Sequence, residues 1–130
     1  MSAVLDYLKA AGVFYLATMD GEQPRVRPFG AVCEFDGKVY FITAKNKNVY
    51  KQLTANPKVE FSAMKGQDSW IRLSGEVKFD ERREARVAML EAVPTLTRMY
   101  NADDGIMTVF YLENMKATVY SFTEEPKELA

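Results

Sequence analysis

Between Val13 and Phe79 the chain is built mainly from short β-forming runs, some alternating apolar with polar positions and some apolar throughout. Three of them, Val13 to Met19, Pro24 to Phe35 and Lys38 to Thr43, are separated by Asp20-Gly21 and Asp36-Gly37. Asp-Gly between such runs is a strong hairpin signal, because tight two-residue turns need a positive φ that glycine adopts without strain; the segment is therefore predicted to be a meander. Val13 to Met19 is apolar on both faces and reads as a strand covered on both sides. Further strands are predicted at Lys58 to Ala63 and Ser69 to Phe79, with a turn at Met64 to Asp68, and at Met107 to Leu112 and Ala117 to Phe122 around Glu113-Asn114.

Helical spacing interrupts this pattern at a few places. Val4, Leu5 and Leu8 share one face of an N-terminal helix that Ser2 is placed to cap and Gly12 to end, a lid for the sheet behind it. Asn46 is the expected cap of a helix from Lys47 to Ala55 with Val49, Tyr50 and Leu53 as its apolar stripe, ended by Asn56-Pro57. Asp80 is the expected cap of a third helix carrying Ala85, Val87, Ala88, Met89 and Leu90, which Pro94 breaks before a helical turn from Thr95 to Asn101. One domain over residues 1–130 is expected, with a loose charged tail at 124–130.

Composition narrows the chemistry. A net charge of -1 weighs against general nucleic-acid binding, which needs a basic excess. The single cysteine, Cys33, excludes an internal disulfide and a cysteine-cluster metal site, and reads as a small apolar residue in a strand. The chain has no histidine, which removes the commonest general base, the usual zinc ligand and the commonest haem ligand together. With neither a signal-like N-terminus nor an apolar stretch long enough to span a membrane, the expected location is cytoplasmic and no membrane partner is expected.

Two places could bind an anion. Arg25, Arg27 and Phe29 fall on one face of their strand, opposite Val26, Pro28 and Gly30, and adjacent arginines need solvent or an anion. The helix start near Asn46, preceded by Thr43 and decorated by Lys45 and Lys47, offers backbone N–H groups and a positive dipole end to a phosphate. Farther on, Trp70 and Arg72 turn away from Ile71 and Leu73, so the lone tryptophan faces outward as an interface or ligand shelf.

These runs, in this order, resemble the small flavin-binding proteins related to pyridoxamine 5′-phosphate oxidase. The resemblance runs from Phe14-Tyr15-Leu16-Ala17-Thr18 through Gln23-Pro24-Arg25-Val26-Arg27-Pro28-Phe29-Gly30 to Trp70-Ile71-Arg72-Leu73-Ser74-Gly75 and Val119-Tyr120-Ser121. It implies a mainly β fold with flanking helices, a six-stranded antiparallel split β-barrel that pairs as a homodimer with FMN in clefts between subunits. By position, Arg27 resembles the family's flavin-contacting arginine, with Pro28 and Phe29 lending backbone to the ring. Ile42 and Thr43 match the strand end that meets the flavin, Lys47 and Asn48 the phosphate-binding helix start, and Trp70 a contact contributed by the opposite subunit. The chain departs from the family at Val49, where a basic residue is usual, which leaves Lys45, Lys47 and Lys51 as candidates for the phosphate. It also lacks the histidine of the true vitamin B6 oxidases and ends before their longer C-terminal region.

The expected function is an FMN-dependent oxidoreductase acting on a small molecule, with no catalytic acid or base identified and B6 oxidation disfavoured. Two alternatives stay open: a non-catalytic flavin-binding or sensing protein, and a β-barrel that binds nucleic acid through Arg25, Arg27, Arg72 and Trp70.

Overall fold

Glycine geometry sets the first two hairpins of the structure, a computed structural model that describes residues 2–130. Strand β1 (Phe14–Asp20) returns as β2 (Gln23–Phe29) through Gly21-Glu22, with Gly21 at φ +60°. A positive φ at the first of two loop residues is the type II′ arrangement, so this turn sits one residue later than the Asp-Gly pair suggests. Strand β3 (Val32–Phe35) returns as β4 (Lys38–Ala44) through Asp36-Gly37, at φ +53° and +73°, the type I′ arrangement.

The expected meander does not form. Phe29 pairs with Phe14, the first residue of β1, so beyond it β2 has no partner; the chain crosses at Gly30-Ala31 and Val32 pairs with Phe41 instead. One sequence run thus becomes two strands at opposite ends of the sheet. With β5 (Lys58–Lys65), β6 (Ser69–Asp80) and β7 (Met107–Ser121), the order is β2-β1-β5-β6-β7-β4-β3. The sheet counts eight strands rather than six, because of this split and because β8 (Lys127–Glu128) pairs with β7.

Two C-terminal expectations change with it. Met107 to Leu112 and Ala117 to Ser121 belong to the single strand β7, and Glu113-Asn114 is not a turn: the strand bulges at Asn114-Met115. Register passes from Ser74 opposite Lys116 to Glu76 opposite Glu113, with Asn114 at φ +53°, so Gly75 faces an extra residue. A Cβ on Gly75 would lie 2.8 Å from the Glu113 carbonyl oxygen and 2.9 Å from Leu112 Cβ, a space that only glycine leaves open. The tail is not loose throughout: Lys127 and Glu128 pair with Val119 and Thr118, and the Ala117 amide donates to the Ala130 carbonyl at 2.9 Å.

The barrel interior is aromatic. Phe41 stacks on Phe61 at 4.2 Å, with Phe14 and Phe29 packed edge-on and Phe110 stacked against Phe41 at 5.5 Å. Helix α1 (Ser2–Ala11) closes one end as the predicted lid, with Val4 and Leu8 fully buried, and ends at Gly12 in a left-handed conformation. The side chain of Ser2, its expected cap, lies outside the described residues. Strand β1 is covered on one face only: Phe14, Leu16 and Thr18 are buried while Tyr15 and Ala17 are exposed, because no layer of this chain covers that side. Strand β4 is enclosed on both sides, as is the start of β7, since α3 (Arg83–Ala92) lays Ala85 and Met89 over Tyr40, Ile42 and Cys33. Among the described residues no helix is long and apolar enough to cross a membrane.

Candidate functional site

The crossing at Gly30-Ala31, the end of β4 and the start of α2 (Asn48–Ala55) converge on one side of the barrel. Lys47, not Asn46, occupies the cap position of α2, in an extended conformation, and no side chain caps the helix. The Tyr50 amide turns back to the Lys47 carbonyl at 3.2 Å, and the amides of Asn48 and Val49 are left to solvent or an anion. Val49 and Leu53 anchor the helix by burial.

Arg27 ties this corner together. Its Nη1 donates to Thr18 Oγ1 at 2.7 Å and to the Leu16 carbonyl at 3.3 Å, and its Nη2 donates to Gln52 Oε1 at 2.6 Å. The Thr18 hydroxyl donates a hydrogen bond to the same Gln52 oxygen at 2.6 Å, so β1, β2 and α2 share one polar knot. Partial burial, and the nearby Arg25 cation after it, hold the Arg27 pKa below its ordinary value. Arg25 is more exposed and pairs with Asp20 at 3.3 Å.

Two cavities adjoin at Arg27. The first, about 360 Å³, has Arg27 and Lys47 at its polar side, Phe29, Gly30, Ala31, Ile42 and Thr43 along one wall, and Val93, Leu96, Met99 and Tyr100 opposite. The Phe29 ring is committed to the core, against Phe61 and Phe110, so its backbone is what faces the cavity; Gly30 and Ala31 add almost no side chain. The second cavity, about 490 Å³, is a polar groove between β2 and α2 lined by Arg25, Arg27, Asn48, Lys51 and Gln52, with Asp20 as its one carboxylate.

Of the residues singled out from sequence, Arg27, Pro28, Phe29, Ile42, Thr43 and Lys47 meet in the first cavity, while Arg25 and Asn48 line the groove. Trp70 joins neither. It stacks on Tyr120 at 5.7 Å and against Phe122 at 5.0 Å on the outer face of the sheet, where Arg72 lies over Tyr120. Sequence reasoning missed the wall made by Val93, Thr95, Leu96, Met99 and Tyr100, none of which is charged. Only the fold marks it out, by leaving Met99, a large apolar residue after the proline-led 3-10 turn Pro94–Arg98, 70% exposed.

That wall has its own anchor. Asp80 does not cap α3, whose cap position is Arg82; it ends β6 and accepts from the Tyr40 hydroxyl at 2.6 Å, the Arg82 amide at 3.0 Å and the Arg82 guanidinium at 2.8 Å. The Arg82 guanidinium holds the Asp80 carboxyl well below the usual range, while burial and then Asp80 push the Tyr40 phenol up. Cys33, buried beneath α3, has its thiol pushed up to about 11 by burial, which makes it an inert packing residue.

An antiparallel sheet wrapped round an aromatic core, with a cleft where one strand run splits, defines a split β-barrel protein. The chain belongs to the pyridoxamine 5′-phosphate oxidase family, whose profile matches residues 1–116. Among solved structures it is similar to a NimC/NimA family protein from Clostridium acetobutylicum, with 51% identity, TM-score 0.93, and coverage of 99% of this chain and 93% of that one. An FMN-binding protein from Nostoc punctiforme related to pyridoxamine 5′-phosphate oxidase shares the fold at 15% identity and TM-score 0.73, covering 96% of this chain and 86% of that one. So does a heme-binding protein from Mycobacterium smegmatis, at 17% identity and TM-score 0.72, covering 95% of this chain and 57% of that one. No curated protein matches the sequence.

Proposed function

We propose that this protein binds FMN and acts as an FMN-dependent oxidoreductase on a small molecule, as a homodimer. The observation that carries the reading is the pair of cavities meeting at Arg27: an apolar-walled one beside a cationic groove suits a ligand with a flat apolar ring at one end and a phosphate at the other. The donor set fits. Arg25, Arg27, Lys51 and the uncapped start of α2 offer charge and N–H groups to an anion, and backbone from Pro28 to Ala31 with Ile42 and Thr43 offers edges to a ring. The name of the Nostoc punctiforme relative points the same way. Haem fits less well, since a chain without histidine lacks the commonest axial ligand.

When bound, the flavin supplies the hydride and single-electron chemistry. The protein's share is to hold it, to keep Arg27 and Lys47 as fixed positive charge beside it, and to exclude water with Val93, Leu96 and Met99. A B6 phosphate is not the expected substrate, because the first cavity's cations, Arg27 and Lys47, are both assigned to the cofactor.

Support for the dimer comes from the outer sheet face. Met64, Trp70 and Tyr120 are cross-strand neighbours there, Tyr15 lies on the same side, and Tyr15 and Met64 are each 48% exposed. An apolar, aromatic face of this kind marks an interaction surface, and the proposed occupant is a second copy of this chain.

The test is to titrate the purified protein with FMN, FAD and riboflavin in one buffer, follow the visible spectrum, and then reduce the complex. FMN is expected to bind best and its colour to bleach on reduction; no binding by any of the three would end the reading. Turnover with a nicotinamide donor and a small-molecule acceptor then separates an enzyme from a flavin-binding sensor.

A further inference from the structure

Lys47 and Asn48 are neighbours in sequence, yet the structure divides them: Lys47 lines the apolar-walled cavity and Asn48 the groove beyond Arg27. On α2, Asn48, Lys51 and Gln52 stand three and four residues apart and so share one face, turned away from the stripe of the buried Val49 and Leu53. The bonds from Arg27 and Thr18 to Gln52 turn that face toward β2. The groove therefore gathers Arg25, Arg27 and Lys51 against a single carboxylate, Asp20, which Arg25 already engages. Arg27 spends much of its hydrogen-bonding capacity on Leu16, Thr18 and Gln52. Among the described residues no carboxylate pairs with Lys51.

From this geometry we infer that Lys51 is the principal phosphate ligand of the bound flavin, seating the phosphate in the β2–α2 groove with Arg25 and Asn48, while Lys47 serves the ring end. The inference rests on the FMN reading and selects among Lys45, Lys47 and Lys51, which the sequence leaves open as candidates for the phosphate. It also accounts for Val49: that residue is largely buried and lines the apolar-walled cavity rather than the groove, and Lys51, two positions on, supplies the charge to the groove from an exposed position. A phosphate carries close to two negative charges at neutral pH and would offset the excess of cations across this groove.

The experiment measures FMN and riboflavin dissociation constants for the unmodified protein, Lys51→Met, Lys51→Arg and Lys47→Met, at low and at high salt. Lys51→Met is expected to weaken FMN by about tenfold or more, as loss of one charge-assisted contact does, and to leave riboflavin within about twofold. Its salt dependence should flatten as well. Lys51→Arg should keep the preference for FMN, and Lys47→Met should leave the ratio of the two affinities unchanged. A fall of about tenfold in the ratio of FMN to riboflavin affinity in Lys47→Met, or an unchanged ratio in Lys51→Met, overturns the assignment while flavin binding stands. Equal affinity of the unmodified protein for the two flavins overturns the groove as a phosphate site. Binding of neither flavin removes the FMN reading, and the inference with it.

Discussion

Arg27→Ala should damage stability and ligand binding together, because the guanidinium is both a brace and a charge. The brace consists of two short bonds, to Thr18 at 2.7 Å and Gln52 at 2.6 Å, and a longer one to the Leu16 carbonyl at 3.3 Å. Their loss is not additive. The bond from Thr18 to Gln52 survives, and removing the cation relieves both its partial burial and its repulsion from Arg25. A net cost of about 2 kcal/mol follows for two effective bonds at roughly 1 kcal/mol each. At an unfolding entropy of about 2.1 cal/mol/K per residue, 130 residues convert that into a melting-temperature fall of about 7 °C. Scanning calorimetry of the flavin-free protein at fixed concentration reads it. FMN affinity should fall in parallel by about tenfold to a hundredfold. Arg27→Lys should recover part of the affinity but little of the stability, since an ammonium cannot span the three acceptors that a guanidinium fork reaches. A melting temperature within about 1 °C of the unmodified protein would refute the brace, and unchanged FMN affinity would take Arg27 out of the site.

Gly75→Ala places a methyl against the Glu113 carbonyl and Leu112 at the β7 bulge and should cost about 1 to 3 kcal/mol, read as a lower denaturation midpoint; an unchanged midpoint would mean the bulge gives way freely. Tyr40→Phe removes a hydrogen bond to a charged acceptor and should cost about 1.5 to 3 kcal/mol, measurable by urea unfolding. Asp80 titrates lower in the folded state than in the unfolded chain, so its contribution is complete above the ordinary carboxylate range of about 4 and is lost as pH falls below it. Asp80→Asn should flatten that acid limb, and an identical limb in both proteins would contradict the assignment. Co-refolding Arg27→Ala with Trp70→Ala should restore tight FMN binding at roughly a quarter of sites if the two residues act across a dimer, since about half the dimers are hybrids with one intact site each. Verified hybrids with no recovered site would confine Trp70 to its own chain.

The hairpins were legible because Gly21 and Asp36-Gly37 carry their turn chemistry locally. The split of the run from Pro24 to Phe35 was not, because it depends on where β1 begins: Phe29 runs out of partners at Phe14, a fact of register rather than of propensity. The single strand β7 was hidden for a related reason, since Glu113-Asn114 has the composition of a turn and only its pairing with β6 shows a bulge. Most of the candidate cleft was readable from cations and a helix start. The wall from Val93 to Tyr100 was not, because apolar residues after a proline look the same whether they fill a core or line a cleft. Asp80 was misread as a cap because an aspartate before a helix has two acceptors to offer, and here Tyr40, distant in sequence, claims one of them.

The site also bears on why the fold tolerates its own electrostatics. Arg25 and Arg27 stand two residues apart on the same side of β2, and partial burial, with the Arg25 cation after it, disfavours the charge on Arg27. The chain offsets this only in part, with Asp20 for Arg25 and neutral acceptors for Arg27, while Lys51 adds a third positive charge to the groove without a carboxylate of its own. A protein selected for stability alone would replace one of the three by a neutral residue. Retaining them makes sense when a bound dianion supplies the missing charge. By linkage, a ligand present at about a hundred times its dissociation constant adds about 2.7 kcal/mol to the folded state. The stability forgone in the empty groove is then returned on binding, so flavin-loaded protein should melt higher by a margin that shrinks with added salt, whereas a solvated strand face with no anionic ligand gives no such margin.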